Sequence, residues 1–130
     1  MKFCIFITLA IILNLISCNS SKQQKPPIAV SAVELIADYN ENESSADEKY
    51  KERIVEITGD VANVSQIQGT VGVLLENYNP KSRFGVICLS DKPQAKTFHD
   101  LKRGQSVTFV GMSDGKVSEY MIRITDCEIK

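Results

Sequence analysis

The chain has 130 residues, with 15 Lys and Arg, 16 Asp and Glu and one His, which gives a formal net charge of −1 at pH 7. This length is enough for one small domain and too short for two. Nucleic-acid-binding proteins use clustered Lys and Arg to displace counterions from phosphates, and the overall charge balance shows no such excess.

The first 17 residues have the order of a secretory signal peptide. Lys2 supplies a positive start, residues 3–16 are almost entirely apolar, and the small, uncharged Ser17 follows them. The apolar stretch is short for a helix that spans a bilayer. We therefore predict that residues 1–17 are a cleaved leader rather than a transmembrane anchor.

The tetrad Leu15, Ile16, Ser17 and Cys18 resembles a bacterial lipobox, in which the cysteine thiol receives a diacylglycerol and becomes the first residue after cleavage. The resemblance implies lasting membrane attachment through Cys18, because several acyl chains such as palmitate hold a protein more firmly than one. Asn19 is not the aspartate associated with inner-membrane retention, which favours the outer membrane facing the periplasm. In a cell with one membrane, the same signal implies its outer face.

The leader is followed by a polar linker. Residues 19–27 are polar, end in two prolines and show no apolar period, which is typical of a flexible tether. We predict a tether over residues 18–29 and a single folded domain over residues 30–130. A helical segment, residues 31–52, opens this domain.

Two short helices are predicted in the helical segment. Ser31 and Glu34 have the spacing of a capping box. The apolar face that follows is formed by Ala32, Leu35, Ile36 and Tyr39. Ser45 and Glu48 repeat the capping-box spacing, which predicts a second helix over residues 46–52.

Beyond residue 53 the pattern changes to that of strands. The predicted strands are residues 54–64, 71–77, 83–90, 106–113 and 116–129. Gly59 and Gly111 interrupt the first and fourth strands, where a bulge or sharp coil is expected. Asp114 and Gly115 are a two-residue hairpin signal between the last two strands.

A third helix is predicted over residues 92–103, between the third and fourth strands. Asp91 can cap its start, Pro93 is tolerated in its first turn, and Gly104 ends it. Its apolar side chains are Ala95, Phe98 and Leu101.

The order of these elements is that of an OB-fold, a five-stranded, partly open Greek-key barrel. Glycines in the long first and fourth strands permit the coiling that closes so short a sheet. Phe98 and Leu101 are expected to plug one end of the barrel. We therefore predict a mainly β fold with capping helices, in the order α-α-β-β-β-α-β-β, with the third and fifth strands as parallel neighbours.

Two cysteines, Cys88 and Cys127, lie within the folded domain. In the predicted barrel both are near the carboxyl ends of the parallel third and fifth strands. Disulfides persist outside the cytoplasm, and we therefore predict a disulfide between Cys88 and Cys127. Two buried, unpaired thiols are the alternative. A zinc site is disfavoured, because two cysteines and the single His99 lack ligand spacing.

A set of residues with a characteristic order and spacing runs along the domain. Its members are Asn42, Ala46, Asp47, Tyr50, Lys51, Ile57, Thr58, Gly59, Val61, Cys88, Leu101, Gly104, Val107, Gly111 and Cys127. Over roughly residues 30–130 this pattern resembles the tRNA-anticodon-binding-like OB-fold family, many of whose members are candidate bacterial lipoproteins. The resemblance implies kinship in fold with nucleic-acid-binding OB domains and carries over no catalytic or binding residue.

One candidate polar site lies in the second helix, where Asn42, Asp47 and Tyr50 could face the barrel. We favour a structural interpretation, in which Asp47 stabilises the amino end of the helix and Tyr50 packs the helix onto the barrel.

No group of residues has the pattern of a catalytic site. His99 lacks a serine or cysteine partner and is assigned to the solvent side of its helix. Asp126 and Glu128 alternate on the last strand, as surface residues do. We predict no catalysis, no cofactor and no metal.

An OB-fold usually binds oligonucleotides on its second and third strands and the loops beside them. Tyr78 and Phe84 could stack a base, and Lys81 and Arg83 offer positive charge, although we interpret both rings as packing residues. Strand 71–77 offers no aromatic platform, and a tight turn after the fourth strand cannot clasp a nucleic acid.

The sequence thus predicts a non-enzymatic, lipid-anchored OB-fold module outside the cytoplasm that binds a protein, a glycan or a small molecule. The alternative is a single-stranded nucleic-acid-binding OB-fold protein. An exposed apolar patch would favour a protein partner, whereas a continuous positive groove would favour nucleic acid.

Overall fold

A computed structural model describes residues 24–75 and 85–130. In chain order its elements are strand β1 (Ile28–Ser31), helices α1 (Ala32–Glu41) and α2 (Glu43–Tyr50), strands β2 (Ile54–Ile67), β3 (Thr70–Leu75) and β4 (Gly85–Ser90), a 3₁₀-helix (Pro93–Asp100), and strands β5 (Ser106–Ser118) and β6 (Met121–Ile129). Among these residues, none of the helices has the length and apolar character needed to cross a membrane.

The barrel closes because β2 pairs with different strands along its length. Residues 54–60 run antiparallel to β5, and residues 61–67 run antiparallel to β3. β3 then pairs with β4, β4 with β6 and β6 with β5, so that the sheet returns to β2. The β4–β6 pair is parallel, as predicted for the third and fifth barrel strands. The predicted five-stranded OB-fold is therefore confirmed.

The core fills the inside of this barrel. In β4 and along most of β5, buried and partly exposed residues alternate one by one, as they do in a sheet with one face in the core. The rings of Phe98 and Phe109 meet edge to face with centroids 5.1 Å apart, so the 3₁₀-helix covers one end. Leu101 packs beside them, and the predicted plug is present.

The plug is a 3₁₀-helix and not the longer helix predicted over residues 92–103. Its inward side chains recur at every third position from Ala95 to Leu101, which matches the three residues per turn of a 3₁₀-helix. Asp91 is not its cap, because the N-cap residue is Lys92, which makes no side-chain capping bond.

Gly111 lets β6 lie directly against β5. A Cβ at this position would stand 2.6 Å from the carbonyl oxygen of Thr125 and 3.0 Å from Sγ of Cys127. The approach is close because β6 bulges here, and the ladder shifts between Val110 and Met112. The fourth barrel strand therefore requires a residue without a side chain at this point.

Gly59 does not form the bulge that the sequence predicts for it. It lies in regular pairing with Val107, and the bulge in β2 comes later, between Val61 and Asn63. A Cβ at Gly59 would stand 3.0 Å from Cβ of Ala32, so this glycine makes room for the start of α1.

The β5–β6 hairpin turns later than predicted. β5 continues through Asp114 and Gly115 to Ser118, and the turn is formed by Glu119 and Tyr120. Gly115 has a φ of +76° and lies where the ladder shifts, so it is a bulge residue. An Asp-Gly pair suits a bulge for the same reason that it suits a tight turn, namely the positive φ of glycine.

The amino-terminal segment differs from the prediction at two points. β1 pairs in parallel with residues 55–58 of β2 and begins at Ile28, within the predicted tether. α2 starts at Glu43, earlier than predicted, because its N-cap is Asn42 and not Ser45. The Asn42 side chain accepts a hydrogen bond from the Ser45 amide at 3.0 Å.

Gly111→Ala is expected to lower the free energy of unfolding by about 1–3 kcal/mol, because the new methyl group meets backbone that cannot move without breaking the β5–β6 ladder. Urea denaturation measures the change. Gly72→Ala is the matched control, since its Cβ would meet the ends of flexible side chains at 3.1 Å and beyond. Equal losses in the two variants would contradict this account of Gly111.

Candidate functional site

The outer surface of β3, β4 and β6 is apolar, although it lies on the far side of the sheet from the core. Leu74 pairs in register with Ile87, Gly72 with Leu89, and Gly85 with Met121. All four apolar side chains are partly exposed. These four residues, Leu74, Ile87, Leu89 and Met121, are named the outer apolar face.

Two glycines allow the members of the outer apolar face to lie close to the sheet and to one another. A Cβ at Gly72 would stand 3.1 Å from Cδ2 of Leu89 and 3.3 Å from Cδ1 of Ile87. A Cβ at Gly85 would stand 3.0 Å from Cδ1 of Leu74. The Ser65 hydroxyl, 3.4 Å from a Cβ at Gly72, borders these contacts on the side of β2.

Two hairpin turns border this surface and expose further apolar groups. Ile67, in the β2–β3 hairpin, is 72% exposed, and Tyr120, in the β5–β6 turn, is 47% exposed. The Gly85 amide donates to the Tyr120 carbonyl at 2.9 Å, which ties the β5–β6 turn to the start of β4.

Two cations of the β5–β6 hairpin are ion-paired. Arg123, whose strand position is in register with Ile87, donates to Asp114 at 2.7 Å. Lys116 of the same hairpin forms an ion pair with Glu43 of α2 at 2.8 Å. Neither cation is therefore free to bind a phosphate without breaking an existing contact.

Aromatic rings are absent from the described part of this surface. Tyr39, Tyr50, Phe98 and Phe109 are buried, which leaves Tyr120 as the exposed ring among residues 24–75 and 85–130. Tyr78 and Phe84, the rings that the sequence offers for base stacking, lie outside these ranges.

A small acidic cavity adjoins the outer apolar face at the carboxyl end of β4. It has a volume of about 170 Å³ and is lined by Thr70, Leu89, Ser90, Asp91, Thr125 and Asp126. The neighbouring Lys92 ammonium donates to Oε1 of Glu128 at 2.9 Å and to the Asp126 carbonyl oxygen at 3.3 Å.

The sequence reasoning missed the outer apolar face, although a signal for it exists. Residues 73–75 and 86–89 are apolar at consecutive positions, whereas a strand with one solvated face alternates apolar with polar residues. Which of these side chains point outward depends on the register of the strands, which the sequence alone does not give.

Asn42, Asp47 and Tyr50 do not form a common polar site, and the structural interpretation favoured from the sequence fits their contacts. Asp47 accepts a hydrogen bond from the Tyr39 hydroxyl at 2.9 Å, and the Tyr50 hydroxyl donates to Asp38 at 2.5 Å. Asn42 is occupied as the N-cap of α2. The three predicted residues therefore make separate contacts within the helical cap.

These contacts shift the pKa values of the groups involved. Burial, together with the bond to Asp47, raises the pKa of the Tyr39 phenol, and burial also raises the pKa of Tyr50. The hydrogen bond from Tyr50 lowers the pKa of the Asp38 carboxyl. Both phenols thus remain protonated donors, and both hold α1 and α2 together.

Cys88 and Cys127 lie side by side in the core, and both are buried. Burial raises the pKa of the Cys88 thiol well above its ordinary value, and the adjacent Cys127 side chain raises it further. The Cys127 thiol donates to the Ile124 carbonyl at 3.4 Å. The two residues are neighbours, as the predicted barrel placed them. The disulfide between them stays a prediction.

The remaining candidate residues lie on the surface. His99, Asp126 and Glu128 are exposed, and Glu128 pairs with Lys92. Within the described ranges no group of three or more His, Cys, Asp and Glu is placed to hold a metal ion.

Several predicted site residues fall outside the described ranges. These are the lipobox residues Leu15, Ile16 and Ser17, the attachment residue Cys18, and Tyr78, Lys81, Arg83 and Phe84.

The closed five-stranded barrel with its helical cap defines an OB-fold domain. The chain belongs to the tRNA_anti-like family, whose model matches residues 2–128. The family match agrees with the resemblance found in the sequence. No curated protein matches the chain.

A candidate nucleic acid-binding lipoprotein from Klebsiella pneumoniae is a solved structure with the same fold. It has a TM-score of 0.61 and 14% identity, and the match covers 78% of this chain and 92% of that one. The Stn1–Ten1 complex of S. pombe has a TM-score of 0.46 and 12% identity, with coverages of 59% and 57%. An OBody bound to hen egg-white lysozyme has a TM-score of 0.46 and 16% identity, with coverages of 62% and 84%.

Proposed function

We propose that this chain is a lipid-anchored, extracytoplasmic OB-fold module that binds a protein segment on the outer apolar face and catalyses no reaction. The observation that carries the proposal is the cluster of four aliphatic or thioether side chains on the solvent side of β3, β4 and β6. A contiguous apolar surface on a small domain marks a site of association.

The chemistry of this surface favours a protein partner over a glycan or a nucleic acid. Leu74, Ile87 and Leu89 offer dispersion contacts and few hydrogen-bonding groups, which suits the apolar side chains of another polypeptide. A glycan presents many hydroxyl groups that would lose their water against such a surface without finding partners.

Single-stranded nucleic acid is the second candidate. The Klebsiella pneumoniae structure is described as a candidate nucleic acid-binding lipoprotein, and β3 and β4 correspond to the strands on which OB-folds bind oligonucleotides. Arg123, however, is already paired with Asp114, so phosphate binding would have to compete with this contact.

The proposal predicts that a photo-crosslinking residue at position 87 captures a protein in intact cells. The same residue at position 58 is the matched control, because Thr58 is an exposed strand residue on the β2–β5 side of the barrel. The adduct is identified by mass spectrometry and by its digestion with protease or nuclease.

Ile87→Lys should reduce capture from the neighbouring position 74 at least tenfold, because the ammonium group must be desolvated in the interface. Thr58→Lys should leave it unchanged. A nuclease-sensitive adduct at position 87 would instead support the second candidate, and equal capture from positions 87 and 58 would remove the outer apolar face from the proposal.

Membrane attachment through Cys18 is part of the same proposal. The leader of residues 1–17 supports it, as does the description of the Klebsiella pneumoniae structure as a lipoprotein. We infer that the domain faces the periplasm from the outer membrane, or the outside of the cell where there is one membrane.

Cys18→Ser is expected to abolish incorporation of labelled palmitate and to release the protein from the membrane fraction, because the serine hydroxyl cannot form the thioether to diacylglycerol. Fractionation followed by immunodetection measures both effects. Cys4→Ser, within the predicted leader, should change neither. Continued membrane attachment of the Cys18→Ser variant would contradict the anchor.

We further propose that Cys88 and Cys127 become a disulfide during export. Each thiol loses a proton and together they lose two electrons to the disulfide of an oxidoreductase outside the cytoplasm, which becomes a dithiol. Because the thiols are buried and the pKa of Cys88 is raised, the reaction takes place before the barrel closes.

The protein is isolated from its native compartment, unfolded without reductant and treated with an alkylating reagent. If the disulfide is present, neither Cys88 nor Cys127 carries the label. Reduction should lower the free energy of unfolding by roughly 2–4 kcal/mol. Protein made in the cytosol serves as the control and should label at both positions. Two labelled thiols in the exported protein would exclude the bond.

A further inference from the structure

The outer apolar face ends in a cavity of opposite chemical character. The cavity, of about 170 Å³, lies at the carboxyl end of β4 and is bordered by Leu89, which also belongs to the face. Its other walls come from the start of β3, the residue after β4, and the middle of β6. A ligand that covers Leu89 therefore also reaches the mouth of the cavity.

The cavity is acidic. Asp91 and Asp126 both line it, and neither carboxylate has an ion-pair partner within residues 24–75 and 85–130. Lys92 is the nearby cation, but its ammonium group is bound by the carboxylate of Glu128 and by the backbone carbonyl of Asp126. Lys92 also interacts with Asp91 and Asp126 at longer range, and the three acidic groups together still leave a net negative charge beside the apolar surface.

A basic side chain fits this cavity better than a metal ion does. Within the described residues no third acidic, His or Cys side chain stands beside the two carboxylates to complete a metal site. An ammonium or guanidinium group, in contrast, is recognised by one or two carboxylates through charge-assisted hydrogen bonds. The hydroxyl-bearing residues Thr70 and Thr125 add polar walls on either side.

We propose that the partner bound by this module presents a Lys or Arg beside apolar residues, with its cation in the cavity of Asp91 and Asp126 and its apolar side chains on Ile87 and Leu89. This inference rests on the proposed function, since it specifies which protein segments the outer apolar face accepts. Charge complementarity carries it, because an apolar segment with an acidic end would bring like charges together.

Selection from a displayed library of random nine-residue peptides tests the proposal, with the purified full chain as target. Selected peptides should be enriched in Leu, Ile, Val or Phe and, within a few positions, in Lys or Arg. For the best peptide, fluorescence anisotropy should show at least tenfold weaker binding to the Asp91→Asn, Asp126→Asn double variant. Binding to the native chain, and not to the double variant, should weaken as salt is raised, because screening acts on the ion pairs.

Two control variants separate the possible failures. Asp100→Asn removes an exposed carboxylate at the end of the 3₁₀-helix and should leave binding unchanged. Ile87→Lys should abolish binding. The selected peptides could instead be apolar and lack basic residues, and could lose binding to the Ile87→Lys variant but not to the double variant. This result would overturn the inference and leave the proposed function in place. Selected peptides that bind Ile87→Lys as well as the native chain would overturn both.

Discussion

The whole fold depends on β2 pairing with β5 over one half and with β3 over the other. A strand can do this only by coiling strongly, and the coil brings neighbouring elements very close at particular points. At Gly59 the start of α1 lies against the strand, and at Gly111 the bulge of β6 lies against β5. A side chain at either position would meet atoms that belong to the barrel itself.

The packing of the barrel core does not account for the apolar residues of the outer apolar face. The core is complete without it, because alternate residues such as Val73, Val86 and Cys88 already fill the interior. Leu74, Ile87 and Leu89 point the other way and contribute little to that core. These residues are the contact surface of the proposed protein partner.

Local patterns in the sequence are enough to predict much of the fold. The two-residue period of the strands, the glycines and the apolar face of α1 identify the barrel and its parallel pair. The predicted position of the hairpin turn was wrong because an Asp-Gly pair such as Asp114 and Gly115 suits a bulge as well as a turn. A bulge forms here because β5 continues past β2 to meet α2. There Asp47 Oδ1 would lie 2.8 Å from a Cβ at Gly115.

The candidate site was harder to predict, for a reason of geometry. In a run of consecutive apolar residues, the inward and outward members cannot be told apart until the strand register is known. The acidic cavity is assembled from three separate strands, so the nearness of Asp91 to Asp126 depends on the same register. Local capping signals, in contrast, need no such information, and the Ser31 cap of α1 is present as predicted.

The short strand β1 sets how the barrel responds to tension. It pairs only with β2, through residues 28–31, whereas the β2–β5 ladder that closes the barrel extends over residues 54–60. A pull on the amino-terminal side would therefore strip β1 from its neighbour while the ring of five strands stays shut. Loss of β1 would uncover Val30, which is buried in the core, before it disturbed the pairing of β3, β4 and β6.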